Sequence, residues 1–201
     1  MLGRYKAVIF DLDGTLVTLP VDWDAVRQDL REYFKTTDAF LPLFKVLESK
    51  IRRKPEARPR LFQLIDNYEV AAASKSRLLV GVFDLFKFLA GRAKLVLVTM
   101  QGRMVCSQLL EMHGLARFLE FSLTREDSLD RSVQLGIALD RLATGSRDTL
   151  FVGDRVNDLN SGKQAGVQVA LVSRRKVELP KEDSQFESMM GLLDYFVDAS
   201  K

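Results

Sequence analysis

The stretch Ala7-Val8-Ile9-Phe10-Asp11-Leu12-Asp13-Gly14-Thr15-Leu16-Val17 decides how the chain is read. Four apolar residues run directly into two acids spaced two apart and a glycine. A short continuous apolar run bounded by turn residues fits a strand buried on both faces of a parallel sheet. At average residue usage the pattern Asp-x-Asp-Gly-Thr arises by chance at roughly one position in 10⁵, before the apolar run is even required. A plain polar turn therefore explains it poorly.

Working outward, the same strand pattern recurs over 94–99, 149–153 and 167–172, with 121–123 a weaker example. Helical periodicity lies between and after these runs, over 82–90, 103–113, 131–143, 158–165 and about 186–197. Gly91, Gly114 and Gly166 are plausible helix stops. Strands alternating with helices predict an α/β fold, a parallel sheet with helices on both faces. The first strand is too far from the second. Residues 18–78 hold no convincing strand but helical patterns over 23–34, 39–53 and 58–76, punctuated by Pro42, Pro55 and Pro59. A crossover needs about a dozen residues, and this segment has about sixty, so it reads as an inserted helical subdomain.

Composition bounds the function classes. At about 150 residues per domain, 201 residues make one domain and a remainder. A hydrophobic share of 47% with 28% charged residues excludes a disordered or fibrous chain. No apolar run approaches the ~18 residues of a membrane span. Residues 1–6 lack the apolar region and cleavage site of a secretory signal. The lone Cys106 forms no internal disulfide, which predicts an intracellular, cytoplasmic protein. The lone His113 excludes a two-histidine metal site. Thirty basic against 27 acidic residues give a net charge of +3, too mild to point to nucleic acid. Neither a nucleic acid nor a membrane is an expected partner, and the oligomeric state stays open.

Placement suggests chemistry. Open α/β sheets bind ligands at the carboxyl ends of their strands. Asp11 and Asp13 stand at such an end, and Gly14 lets the chain curl so that both address one site. A carboxylate there can act as a nucleophile and form an aspartyl-phosphate. A second carboxyl can protonate the leaving oxygen and then take a proton from water. Gly153-Asp154-Arg155-Val156-Asn157-Asp158 places further carboxylates at another strand end. Asp11 and Asp154 would supply the one or two carboxylates that Mg²⁺ typically takes; a plainer reading makes Asn157 or Asp158 a helix N-cap. In Val98-Thr99-Met100-Gln101-Gly102-Arg103, a hydroxyl at a strand end followed by N–H groups opening a helix suits a phosphate oxygen. Thr99 and Met100 are thus candidate phosphate-binding residues.

Together these pieces resemble the haloacid dehalogenase superfamily of phosphohydrolases. Asp11-x-Asp13-Gly14-Thr15 matches its first motif, Thr99 its second and Gly153-Asp154-x-x-x-Asp158 its fourth, in order along nearly the whole chain. The resemblance implies a Rossmann-like parallel sheet of strand order 3-2-1-4-5. It also implies a catalytic core over 1–17 and 79–201 and an inserted helical cap of the C1 type over 18–78. It makes Asp11 the nucleophile and Asp13 the general acid/base. Asp11, the Asp13 carbonyl and Asp154 would hold Mg²⁺, with Asp158 close behind. An acid at position 13 looks like the phosphate enzymes rather than the dehalogenases, and most like the phosphoglycolate-phosphatase-like branch with a small helical cap. The third motif departs from the pattern: residues 124–132 contain neither its lysine nor its proline. Arg131 is the first candidate for the missing cation, for catalysis and phosphate binding alike, and Arg125 the second.

The expected function is Mg²⁺-dependent hydrolysis of a small phosphate monoester, phosphoglycolate-like or sugar-phosphate-like, through an aspartyl-phosphate. The partner would be a small phosphorylated metabolite. A phosphomutase of the same fold is one alternative. A non-catalytic binding or regulatory module using a basic cap patch is the other. That patch is Lys50, Arg52, Arg53, Lys54, Arg58 and Arg60; it reads as a solvated face or as one or two cations facing an anionic substrate. His113, Cys106 and Trp23 read as structural.

Overall fold

The computed structural model describes residues 5–181 and 183–199; residues 1–4, part of the core segment expected over 1–17 and of the stretch read for a secretory signal, lie outside the described residues with 182, 200 and 201. In chain order the elements are β1 (Ala7–Phe10), β2 (Val17–Thr18), α1 (Trp23–Phe34), α2 (Leu43–Arg53), α3 (Arg58–Ala73), β3 (Arg77–Leu78), α4 (Val82–Leu89) and β4 (Lys94–Val98). There follow α5 (Arg103–Met112), β5 (Phe121–Leu123), α6 (Arg131–Leu142), β6 (Thr149–Gly153), α7 (Val156–Ala165), β7 (Gln168–Val172), β8 (Ser184–Phe186) and α8 (Met189–Asp198).

Side chains alternate across a strand, and here both faces are apolar. Val8, Phe10, Leu95, Leu97, Leu150 and Val152 turn to one side, where α4, α5 and α8 cover them. Ala7, Ile9, Val96, Val98 and Phe151 turn to the other, under α6 and α7. That two-sided burial is why the strands read as continuous apolar runs. The sheet has six strands in the order β5-β4-β1-β6-β7-β8, every neighbour parallel. This is the expected α/β, Rossmann-like order 3-2-1-4-5 with β8 added at one edge. β1 lies between β4 and β6, so the residues just after it meet the crevice where the strand order reverses.

Several expected boundaries move. β8 occupies the start of the helix expected from about 186, and α8 begins only after Ser188, whose hydroxyl accepts from the Gly191 N–H at 3.2 Å. The region expected to lack strands begins and ends in a small antiparallel ribbon, with Val17 opposite Leu78 and Thr18 opposite Arg77. α2 starts at Leu43 rather than 39, because Phe40 holds a left-handed φ of 49° and Pro42 stands at the N-cap. α3 ends at Ala73 rather than 76. α7 starts at Val156 rather than 158, with Arg155 at its N-cap in place of Asn157 or Asp158.

The helices α1, α2 and α3 share an apolar cluster of their own, built on Val26, Leu30, Phe40, Leu47, Leu61 and Ile65. α3 is also tied to the sheet side of the molecule by a buried ion pair. The Arg125 guanidinium, fully buried, donates to both carboxylate oxygens of Glu69 at 2.8 and 2.9 Å, donates to the Met100 carbonyl at 3.1 Å and contacts Asp66. Glu69 accepts in addition from the Gly102 N–H at 3.0 Å. A Cβ on Gly102 would lie 2.6 Å from an Arg125 nitrogen, so glycine is required where the loop passes the pair. Removing one partner of a buried pair leaves the other charge uncompensated. Arg125→Met is therefore expected to lower the unfolding free energy by about 3–5 kcal/mol, measured by urea denaturation, and the double variant Glu69→Met/Arg125→Met to recover part of that loss.

Candidate active site

Asp11 directly follows the central strand, and its backbone N–H donates to the Val152 carbonyl at 2.9 Å, so the ladder with β6 fixes its start. The chain then turns tightly: the Leu16 and Val17 N–H groups donate back to the Leu12 carbonyl at 2.8 and 3.0 Å. Gly14 makes the turn possible at φ 86°, and a Cβ there would lie 2.7 Å from the Asp154 carboxyl carbon. The turn returns Asp13 toward the same crevice, where one of its carboxylate oxygens accepts the Leu19 N–H at 2.9 Å.

Asp154 leaves the neighbouring strand β6, and Asp158 sits one turn into α7. One Asp158 oxygen accepts the N–H groups of Asp154 and Arg155 at 3.1 and 3.0 Å. Asp158 thus performs the helix-capping function while its other oxygen faces Arg131 at 3.3 Å. Asp11, Asp154 and Asp158 each bring a carboxylate oxygen to within 4.8 Å of the others. The Asp13 carboxylate is not part of this group. Of the two arginines considered for the missing cation, Arg131 reaches Asp11 at 2.5 Å, whereas Arg125 is held by Glu69 and Asp66 in the interior. Arg131 stands at the first position of α6, and its helix start is capped by Asp130, which accepts the Ser132 N–H at 2.8 Å.

Burial dominates the electrostatics. It raises the Asp11 carboxyl above its ordinary range, opposed by the Arg131 charge and reinforced by Asp158 and Asp154. Burial likewise raises Asp13, with the Leu19 N–H opposing. Asp154 is pushed up to about 6, by burial first and by the negative charges of Asp158 and Asp13, against Arg155. One oxygen of Asp154 is sealed from solvent and accepts no hydrogen bond. A buried carboxylate oxygen without a donor is costly, and oxygen-only donors converging beside it are the set that hard divalent cations prefer. The residues present therefore fit a hard cation at Asp11, Asp154 and Asp158.

These groups open on a cleft of about 580 Å³. Asp11, Asp13, Arg131 and Asp158 line it, and so do Met100 and Gln101, but Thr99 does not. The Thr99 hydroxyl is buried and bonded to the Gln101 side chain. The basic cluster of 50–60 does not line the cleft either. Lys50 pairs with Asp38 at 2.5 Å, Arg52 with Glu48 at 3.3 Å, Arg58 donates to the Glu126 carbonyl at 2.7 Å and Arg60 lies over the Tyr33 ring. The cations that α1 and α2 do place in the cleft are Arg27 and Lys45, beside Trp23 and Phe44. Neither cation stood out in the sequence, because the packing of α1 on α2 decides which face meets the crevice. Trp23 packs against Phe44 and also lines the cleft. Cys106 is buried, and His113 bonds Ser76 away from the cleft.

A doubly covered parallel sheet with an acid after its central strand and carboxylates gathered at its switch point is a Rossmann-like α/β core with a ligand site at its strand ends. The sequence pattern of the haloacid dehalogenase-like hydrolases matches residues 8–172, and the chain belongs to that family. It is similar to the N-acetylmuramic acid 6-phosphate phosphatase of Pseudomonas aeruginosa, at 27% identity over 84% of this chain and 82% of that protein. It is also similar to the pyrophosphatase PpaX of Halalkalibacterium halodurans, at 27% identity over 83% of each. In fold it resembles a Lactobacillus plantarum structure named as a candidate phosphoglycolate phosphatase, with a TM-score of 0.70, 20% identity, and 95% of this chain and 99% of that one covered.

The raised Asp154 carboxyl has a definite sign in stability. A carboxyl held near 6 when folded, against about 4 when unfolded, binds more protons in the native state between those values. Its contribution is fully present below the unfolded value and is lost as pH rises through the folded one. In the presence of a chelator, wild-type protein is expected to lose stability relative to Asp154→Asn as pH rises from about 4 to about 6. Urea denaturation at a series of pH values reads the difference.

Proposed function

We propose that this hydrolase is a Mg²⁺-dependent phosphatase of small phosphate monoesters, working through an aspartyl-phosphate on Asp11. The observation that carries the reading is the convergence of Asp11, Asp154 and Asp158 around an unpartnered carboxylate oxygen, with Arg131 against the nucleophile. The two curated relatives support it: their names state hydrolysis of a sugar phosphate ester in one case and of pyrophosphate in the other. They agree on phosphoryl hydrolysis and differ on the leaving group, so they support the reaction rather than one substrate. A cleft of about 580 Å³ is of ligand-binding size for a small molecule.

Asp11, Asp154 and Asp158, with the Asp13 carbonyl, would hold Mg²⁺, which when bound supplies positive charge to offset the phosphoryl oxygens. An Asp11 carboxylate oxygen attacks phosphorus in line, and the bond from phosphorus to the ester oxygen breaks. The Asp13 carboxyl, which burial keeps prone to protonation, gives its proton to that departing oxygen. Water then attacks the same phosphorus, Asp13 takes the water's proton, and the bond to Asp11 breaks to release phosphate. Arg131 keeps a positive charge beside Asp11 that a neutral residue would not. It thereby takes the place of the lysine the third motif lacks. Met100 offers a backbone N–H with no hydrogen bond among the described residues.

Residues 18–78 act in this reading as a cap on a core of 1–17 and 79–201. Their helices have their own apolar cluster and contribute Trp23, Arg27, Phe44 and Lys45 to the cleft. Covering the cleft from that side would exclude bulk water and select the leaving group.

Hydrolysis of p-nitrophenyl phosphate with and without Mg²⁺ tests the proposal. Turnover is expected only with Mg²⁺, to fall by at least about 10³-fold in Asp11→Asn and by about 10²- to 10⁴-fold in Asp13→Asn. Undiminished turnover in Asp11→Asn contradicts it.

A further inference from the structure

We infer that Glu69, a residue of the inserted helices, is a positioning residue for the phosphoryl-binding loop of the core and acts together with Arg125; this rests on the phosphatase reading, in which the Thr99 hydroxyl and the Met100 N–H meet the phosphoryl group. Arg125 has no part in the chemistry proposed above, yet it is a fully buried charge with a fully buried acid against it.

The loop is short, since β4 ends at Val98 and α5 begins at Arg103. The Thr99 N–H donates to the Leu123 carbonyl at 2.9 Å, and the Thr99 carbonyl accepts from the Gln134 amide at 3.1 Å. The next two peptide groups are held by the α3 pair. The Met100 carbonyl accepts from Arg125 Nη1 at 3.1 Å, and the Gly102 N–H donates to Glu69 Oε2 at 3.0 Å. The same two side chains hold each other, Nη1 to Oε1 at 2.8 Å and Nη2 to Oε2 at 2.9 Å, while Nη2 also contacts Asp66. Turning either peptide plane would break one of these bonds and leave a buried charged partner with no water to take its place. The Gln101 N–H donates to the Thr99 hydroxyl at 3.2 Å, and the Gly102 carbonyl accepts the Cys106 N–H at 2.9 Å. The N–H of this loop left without a hydrogen bond among the described residues is that of Met100.

Stability alone does not call for this pair. Apolar side chains of similar volume are often as stabilising as a buried ion pair. What they cannot supply is a directional hold on the Met100 carbonyl and the Gly102 N–H. Groups that bind a reacting centre need placement to within about 0.5 Å by supporting hydrogen bonds. Glu69 lies on α3, within residues 18–78, so the inserted segment bears on the phosphoryl end of the site as well as on the leaving group. An effect at the phosphoryl end is the same for every ester. Contacts from Trp23, Arg27, Phe44 and Lys45 would differ with the leaving group.

The test compares wild type, Glu69→Gln and the Glu69→Met/Arg125→Met double variant. Calorimetry reads the binding of Mg²⁺ alone and of inorganic phosphate in the presence of Mg²⁺. Kinetics read kcat/KM on p-nitrophenyl phosphate and on glycerol 2-phosphate. A small misplacement of a binding group costs up to about 10²-fold. The double variant, which removes both charges together, is expected to bind Mg²⁺ as wild type does. It is expected to bind phosphate about 10- to 100-fold more weakly and to lose the same factor in kcat/KM on both esters. Glu69→Gln keeps the shape of the side chain but turns one acceptor oxygen into a donor that faces Arg125 or Gly102. It is expected to lose about 10-fold in phosphate binding, and it carries the test should the double variant not fold. Wild-type phosphate affinity in either variant overturns the inference. So does a loss confined to one ester, which would place the effect on the leaving group. A parallel loss of Mg²⁺ binding overturns it too, as the mark of a general disruption of the strand ends. Wild-type protein that neither binds phosphate nor hydrolyses either ester overturns the phosphatase reading itself, and this inference with it.

Discussion

Three carboxylates with oxygens within 4.8 Å of one another, two of them buried, set the terms for everything around them. Like charges that close repel, and burial removes the water that would screen them. The fold answers with fixed donors. Asp158 is neutralised in part by two backbone N–H groups at the start of α7, and Asp11 by Arg131. Asp154 is left with a sealed, unpartnered oxygen. The residual imbalance is what makes the site fit a hard cation, and it explains why burial raises two of these carboxyls.

That crowding depends on the sheet. Parallel pairing of β1 with β6 delivers Asp11 beside Asp154, and β4 on the other flank of β1 makes this end of the sheet its switch point. Gly14 then lets the following turn pass close to the Asp154 carboxyl without a side chain. A second constraint comes from the inserted helices. α3 reaches the loop after β4 through Glu69 and Arg125, so the helical segment does more than stand over the cleft: it helps to shape the loop that carries Met100 and Gln101. Arg125 spends its charge there, which leaves Arg131 to serve Asp11.

How much of this is legible in the sequence follows from range. The β1 run, its acids and the alternation of strands and helices are local patterns, and the parallel sheet follows from them, whereas its strand order was implied only by the family resemblance. β8 was not legible: Ser184-Gln185-Phe186 is short and half-buried at a sheet edge, without the apolar run of a central strand. The β2–β3 ribbon is equally silent, since its two-residue strands lie about sixty residues apart. In the site, Asp11 and Asp154 could be paired from strand ends alone, while Asp158 joined them only through the family resemblance. Arg131 could be ranked above Arg125 only as the residue at a helix start. The cleft cations Arg27 and Lys45 could not be found at all, while Lys50 and its neighbours attracted attention by density and are taken up by local acids, carbonyls and rings. The Thr99–Gln101 contact needed both side chains in place.

The central claim is that Asp11 becomes covalently phosphorylated. The most direct measurement is rapid acid quench of protein turning over p-nitrophenyl phosphate with Mg²⁺, followed by peptide mass spectrometry. The account predicts a phosphoryl group on the peptide containing Asp11, removed by hydroxylamine as an acyl phosphate is and absent from Asp11→Asn. A phosphoryl group on any other residue, or active protein that never carries one, would contradict it.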